Sequence, residues 1–306
     1  MGLANLIWRN LPSRKPQLWE HLLRSVARRL IFESRRRLSP RWIDESHVVR
    51  MSDGSSRLAV VPRDAIGRAI FLYGVYEIAT TKFVTAALQP GDCFVDVGAN
   101  VGYYSVLAGT RVGSAGKVHA FEPVPRLRCQ LQRNIEMNGL HNVTAHESAV
   151  WSQEGEIAFY ETSSAENSGI SSAFPGPARV EMPGKVGATT LDELARRISR
   201  RIDLIKIDVE GSELAVFQGG PRLLHSAEAP ALIFEAFDIG PPAGLLGRHG
   251  YEVRCLHYSR AKGIQFPGID GERENPFSSY EAPNFVAFKR GWLSARGLDT
   301  TSTLEE

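Results

Sequence analysis

Cysteine is scarce in this 306-residue chain: Cys93, Cys129 and Cys255 are the only three, far apart, with no Cys-x-x-Cys pair. That set excludes a disulfide framework and gives no zinc-ligand spacing. The eight histidines are scattered rather than clustered. No apolar run approaches the ~18 residues of a membrane-crossing helix. No signal-peptide apolar stretch is read near residue 1, so a cytoplasmic protein is expected. Charge of one sign is also missing: the net value is +2. Bulk electrostatics therefore gives no reason to expect a nucleic-acid partner. With 43% hydrophobic and 23% charged residues, the composition is that of a globular protein with a sizeable core.

What is present centres on residues 92–102, Asp-Cys-Phe-Val-Asp-Val-Gly-Ala-Asn-Val-Gly. The apolar run Cys93 to Val97 predicts a strand. Gly98, Asn100 and Gly102 make a turn, and a helix from Val101 to Thr110 follows. Glycine lets backbone approach a ligand closely. About twenty residues on, the strand Lys117–Glu122 ends in an acid. Glu122 is thus placed to take both hydroxyls of a ribose. A nicotinamide-binding turn would read Gly-x-Gly-x-x-Gly, with its backbone N–H groups on a pyrophosphate. Here Asn100 replaces the middle glycine and Asp96 precedes the turn. A carboxylate there suits a cationic ligand such as S-adenosylmethionine, with its ammonium, sulfonium and ribose.

Later segments add acids. In the strand Asp203–Asp208, residues Lys206, Asp208 and Glu210 are two apart, so an extended chain puts them on one face. A lysine inside a sheet needs partners, and Asp208 and Glu210 are nearest in sequence. The strand Ala231–Phe234 ends in Glu235. Ligands of parallel sheets bind at the carboxyl ends of strands, where all these acids fall. Asp208 or Glu210, with Glu235 third, could accept a proton from a substrate bound there. Lys206 would orient those acids. The acids could also hold Mg²⁺, but no spacing demands a metal and none is assigned.

The motif series Val95-Asp-Val-Gly-Ala-Asn-Val-Gly102, Phe121-Glu-Pro123, Thr190-Leu-Asp-Glu193 and Ile205-Lys-Ile-Asp-Val-Glu-Gly-Ser-Glu213 resembles that of the FkbM family of S-adenosylmethionine-dependent methyltransferases. The similarity runs from about residue 73 to 288. It implies a doubly wound, Rossmann-like α/β class I methyltransferase sheet with helices on both faces. It also implies O-methylation of a hydroxyl on a sugar, glycan or other small molecule. A Tyr–Glu segment before the cofactor fold borders the family's pocket, which makes Tyr76 and Glu77 candidates here. By the same resemblance Ser148 or Ala149 would meet the adenine. Alternatives are a nicotinamide-dependent oxidoreductase, or a non-catalytic scaffold working through its basic N-terminus.

Three regions are expected: an extension over 1–50, the catalytic domain over 51–290 and a polar tail over 291–306. The extension holds eleven Lys/Arg against four Asp/Glu. Leu18, Leu22, Leu23, Val26, Leu30 and Ile31 recur at helical spacing between arginines, predicting a basic amphipathic helix. It could contact a membrane surface or a partner protein, or pack on the main domain. Between the regions, a hairpin over 47–62, a helix from Tyr76 to Leu88 and a third strand over Val143–Ala149 are expected. Glu154–Tyr160 is read as a hairpin strand. A Ser/Gly/Pro-rich loop follows over 162–188, and Thr190 with Glu193 predicts a capping box. Tyr258, Phe266, Phe277 and Tyr280 could line an acceptor pocket.

Overall fold

The computed structural model describes residues 26–35, 37, 39–162, 171–172, 179–181, 184–259, 261–269 and 283–298. Leu18, Leu22, Leu23, Phe277, Tyr280 and most of the 162–188 loop lie outside these residues. So does the end of the expected tail.

A hairpin of β1 (His47–Arg50) and β2 (Arg57–Val60) precedes the main sheet. Two helices follow, α1 (Ala65–Tyr73) and α2 (Ile78–Ala87). The helix expected over Tyr76–Leu88 is α2, beginning two residues later, and Gly74, whose left-handed backbone (φ 71°) closes α1, separates it from that additional helix. Next come β3 (Cys93–Val97), α3 (Tyr103–Val112), β4 (Lys117–Phe121), α4 (Pro125–Met137) and β5 (Val143–His146). After an irregular stretch come α5 (Leu191–Ile198), β6 (Leu204–Ile207), α6 (Glu213–Gln218) and β7 (Ala231–Glu235). The chain then runs through α7 (Gly240–Arg248), β8 (Glu252–Cys255), β9 (Asn284–Phe288) and α8 (Trp292–Ala295).

Seven strands form one sheet in the order β8-β9-β7-β6-β3-β4-β5. Pairings from β7 through to β5 are parallel, and β9 runs against both its neighbours. This is the doubly wound α/β class. The order reverses between β3 and β6, so a crevice opens at the carboxyl ends of those strands.

Alternation along the strands splits the core. Phe94, Leu204 and Ile233 pack with α2 and α3 on one face. Val95, Ile205 and Phe234 pack with α5, α6 and α7 on the other. Every residue of β3 is buried, as a central parallel strand requires.

Several expectations are corrected. The third strand stops at His146, and Ala149–Val150 joins a separate three-stranded sheet with residues 155–157 and 186–189. Gly155–Ile157 pairs there with Val186–Ala188, and Tyr160–Thr162 pairs antiparallel with both Ser171–Ser172 and Arg179–Glu181, so the one strand expected over Glu154–Tyr160 is two short ones in different sheets. Thr190 caps α5 by accepting from the Glu193 N–H, yet the Glu193 carboxylate turns to Arg196 and Arg197 and leaves the box half made. The C-terminal segment is not a polar tail: Trp292, Leu293 and Leu298 are buried, and Trp292 lies 6.2 Å from the Phe83 ring.

Candidate active site

Two turns meet where the sheet order reverses. Gly98 (φ 80°) leads the chain out of β3, and a Cβ there would sit 1.9 Å from the Asp208 carbonyl oxygen. The two crossing backbones therefore require glycine at this position. Gly98→Ala should cost about 1–3 kcal/mol by overpacking and strain. Thermal melting checks the loss, with Gly91→Ala, at a position with open space around it, as a comparison for the positive-φ contribution alone.

Asn100 is also left-handed (φ 51°). Its N–H donates to Glu122 Oε2 at 2.9 Å, and the Val124 N–H donates to Oε1 at 2.9 Å. Both carboxylate oxygens are thus held by backbone while keeping acceptor capacity for a ligand. Burial pushes Glu122 up to about 7, against those two hydrogen bonds. Gly102 serves packing instead: a Cβ there would meet Leu131 Cδ1 at 2.5 Å. Asp96 is buried beneath the turn, where its Oδ2 accepts from Ser105 Oγ at 2.5 Å. Its Oδ1 has no hydrogen-bond partner among the described residues.

The cleft holds about 920 Å³ of empty space, counted out to solvent. Gly98 to Val101 and Glu122 lie along it, with Trp151, Ile157 and Phe159 adding apolar wall. Ala149 and Val150 line it and Ser148 does not. Trp151 falls outside every periodic segment of the sequence, and Phe159 lies in the expected Glu154–Tyr160 strand, whose pattern marks a strand and not a cleft wall.

Tyr76, Tyr104, Lys206, Asp208, Glu210 and Glu235 also line the cleft. Lys206 stands opposite Asp96 in the β6–β3 register and donates to Asp208 Oδ2 at 2.7 Å. Its ammonium sits 4.6 Å from the Tyr104 ring centre. Burial works to discharge Lys206, but Asp208, Glu77 and Asp96 outweigh it and hold the ammonium above its ordinary range. Glu210 does not continue the strand face. The strand ends at Ile207, and Glu210 is left-handed (φ 54°) in a loop braced by Glu213, which accepts from the Gly211 N–H at 3.1 Å.

Glu77 precedes α2 with φ 41° and makes no capping bond. Its carboxylate instead accepts from Tyr104 Oη at 2.6 Å and from Asn284 Nδ2 at 3.2 Å. The same Nδ2 reaches Glu235 Oε1 at 3.5 Å. Two carboxylates on one amide cannot both ionise cheaply. Burial, Asp208 and Glu77 push Glu235 far up, so it keeps its proton. Burial would raise Glu77 too, but Lys206, Glu235, Tyr104 and Asn284 bring it below its ordinary value. Glu235 is therefore a poor base, against the third-place role read from the sequence. Tyr104 was missed as a plain helix aromatic. Asn284 opens β9 and carries no local sequence signal that marks it as a site residue.

The Methyltransferase FkbM domain model matches residues 96–244, a span that leaves Tyr76, Glu77 and Asn284 outside. Methyltransferase sdnD of Sordaria araneosa is 31% identical over 180 residues, 49% of this chain and 68% of its own. Methyltransferase 1 of Beauveria bassiana is 28% identical over 163 residues, 47% of this chain and 64% of its own, so the match spans just under two thirds of that relative. The hexuronic acid methyltransferase AglP of Haloferax volcanii is 26% identical over 182 residues, 58% of this chain and 70% of its own.

Proposed function

Because the chain belongs to the FkbM methyltransferase family, we propose that its cleft binds S-adenosylmethionine and directs methyl transfer to a hydroxyl oxygen of a small molecule or glycan. The observation that carries this reading is one cleft with Glu122 along its wall and the Lys206–Asp208 pair on the same strand ends. The residues fit the cofactor. An acidic lining suits a cation, and both Glu122 oxygens keep lone pairs for ribose hydroxyls. When bound, the cofactor supplies an electrophilic methyl group, so the protein is left to align and to manage one proton. Asp208 takes that proton from the acceptor hydroxyl. Lys206, gripped from beneath by Asp96 and Glu77, holds the Asp208 carboxylate in place. The hexuronic acid acceptor named for one relative supports a glycan-type substrate.

Calorimetric titration with S-adenosylhomocysteine, alongside NADH, tests the cofactor. Glu122→Ala should weaken S-adenosylhomocysteine by at least about tenfold, the cost of two lost charge-assisted hydrogen bonds. Clean NADH binding without S-adenosylhomocysteine binding would instead support an oxidoreductase. A pH effect should accompany this. Glu122 titrates at about 7 in the ligand-free protein, and ribose hydroxyls favour its ionised form. Affinity should therefore rise with pH up to about 7 and then level, with proton release on binding below that point. The same raised value means Glu122 stabilises the ligand-free fold below the ordinary glutamate range, and that contribution is lost as pH rises through 7. Glu122→Gln should flatten both trends.

A further inference from the structure

Residues 26–35 form a helix whose apolar side faces away from the protein. At 3.6 residues per turn, Val26, Ala27, Leu30 and Ile31 fall within an arc of roughly 140°. All four are exposed, with Leu30 at 66%. Phe32, on the other side, anchors the helix against Trp42 and Phe71 at ring distances of 6.3 and 6.4 Å. A helix packed only for stability would turn its apolar arc inward.

Position and charge indicate what this face meets. The Arg28 guanidinium donates to the Arg50 carbonyl and lies against Gly74. That sets the helix beside the segment leading to Tyr76, which lines the cleft. Ile78, the next residue after Glu77, is itself 50% exposed. Arg29 and Arg35 are exposed on the two sides of the apolar arc, while Ser34 and Arg37 fall on the arc itself toward its C-terminal end, within a region of eleven basic and four acidic residues. An exposed apolar arc flanked by arginines matches a lipid–water interface of negative charge. No helix among the described residues is long and apolar enough to cross a membrane.

We infer that the apolar arc of the 26–35 helix docks this protein onto an anionic lipid surface. The arc enters the headgroup boundary and the arginines meet lipid phosphates. The inference is independent of the cofactor assignment.

The test is co-sedimentation of the full chain with phosphatidylcholine vesicles, with and without phosphatidylglycerol. Binding is expected on the anionic vesicles and should fall with added salt. Leu30→Asp/Ile31→Asp should weaken it at least about tenfold, and Arg29→Glu/Arg35→Glu should remove the preference for phosphatidylglycerol. All four side chains are exposed, so melting temperatures should stay near that of the wild type. Failure of the wild type to bind, or equal binding to neutral and anionic vesicles, would overturn the inference. So would undiminished binding by the double-aspartate variant. A concentration-dependent dimer abolished by that variant, without vesicle binding, would assign the face to a second copy of the chain instead.

Discussion

Asp208→Asn should slow methyl transfer by about two to four orders of magnitude, the usual worth of a positioned general base. S-adenosylhomocysteine affinity should change little. The asparagine keeps the shape of the side chain but cannot take a hydroxyl proton. The buried Lys206 would not be stranded, because Glu77 and Asp96 still face it. Stability should therefore fall only modestly, which separates a chemical defect from a folding one. Glu235→Gln is the informative companion. Glu235 already holds a proton, so the neutral amide imitates its charge and should lower the rate far less than Asp208→Asn. Comparable losses in the two variants, read as single-turnover rates at saturating cofactor, would move the base from Asp208 to Glu235.

Arg296→Ala should be the most destabilising single change outside the apolar core. Arg296, half-buried just beyond α8 with its side chain shielded, donates to Asp203 Oδ1 at 2.8 Å, to Asp92 and to the Ala87 carbonyl at 3.2 Å. Asp203 also accepts from the Cys93 N–H at 2.9 Å, at the start of the central strand. One guanidinium thus ties the C-terminal segment to the entries of β3 and β6. Removing it leaves Asp92 without a charged partner among the described residues and Asp203 with only the longer charged contact to Arg201 at 3.4 Å, a loss of up to about 3–5 kcal/mol. Urea unfolding of the variant measures it. Arg296→Lys keeps the charge but not the fork, so it should fall between wild type and alanine. An alanine variant as stable as wild type would mean that the acids are solvated well enough without it.

Much of the fold was legible because central strands of a parallel sheet are buried on both faces. Cys93–Val97, Leu204–Ile207 and Ala231–Glu235 each read as a short apolar run ended by a turn or an acid. The turn chemistry was equally local: Gly98 and Asn100 take left-handed backbone that few residue types tolerate. Boundaries failed where distant partners decide them. The strand expected over Val143–Ala149 stops at His146, because Ala149 and Val150 pair with Ala188 and Thr189 instead. Glu210 leaves the strand face because its loop is braced by Glu213.

The sheet class was legible through the motif series that resembles the FkbM family; by itself, the local sequence determined the Gly98–Gly102 turn, Glu122 at its strand end and Asp208 or Glu210 as the partner of Lys206. Each rests on neighbours within a few residues or on the simple period of a strand. Only the tertiary structure decided the rest. It gathered Glu77, Tyr104, Glu235 and Asn284 around one amide, although Glu77 and Asn284 are 207 residues apart. It kept the proton on Glu235, since a pKa depends on burial and on charges brought in by other elements. It also turned the 26–35 helix outward and folded Trp292 and Leu298 inward. The facing of a helix is set by what packs beneath it, and a local pattern carries no record of that.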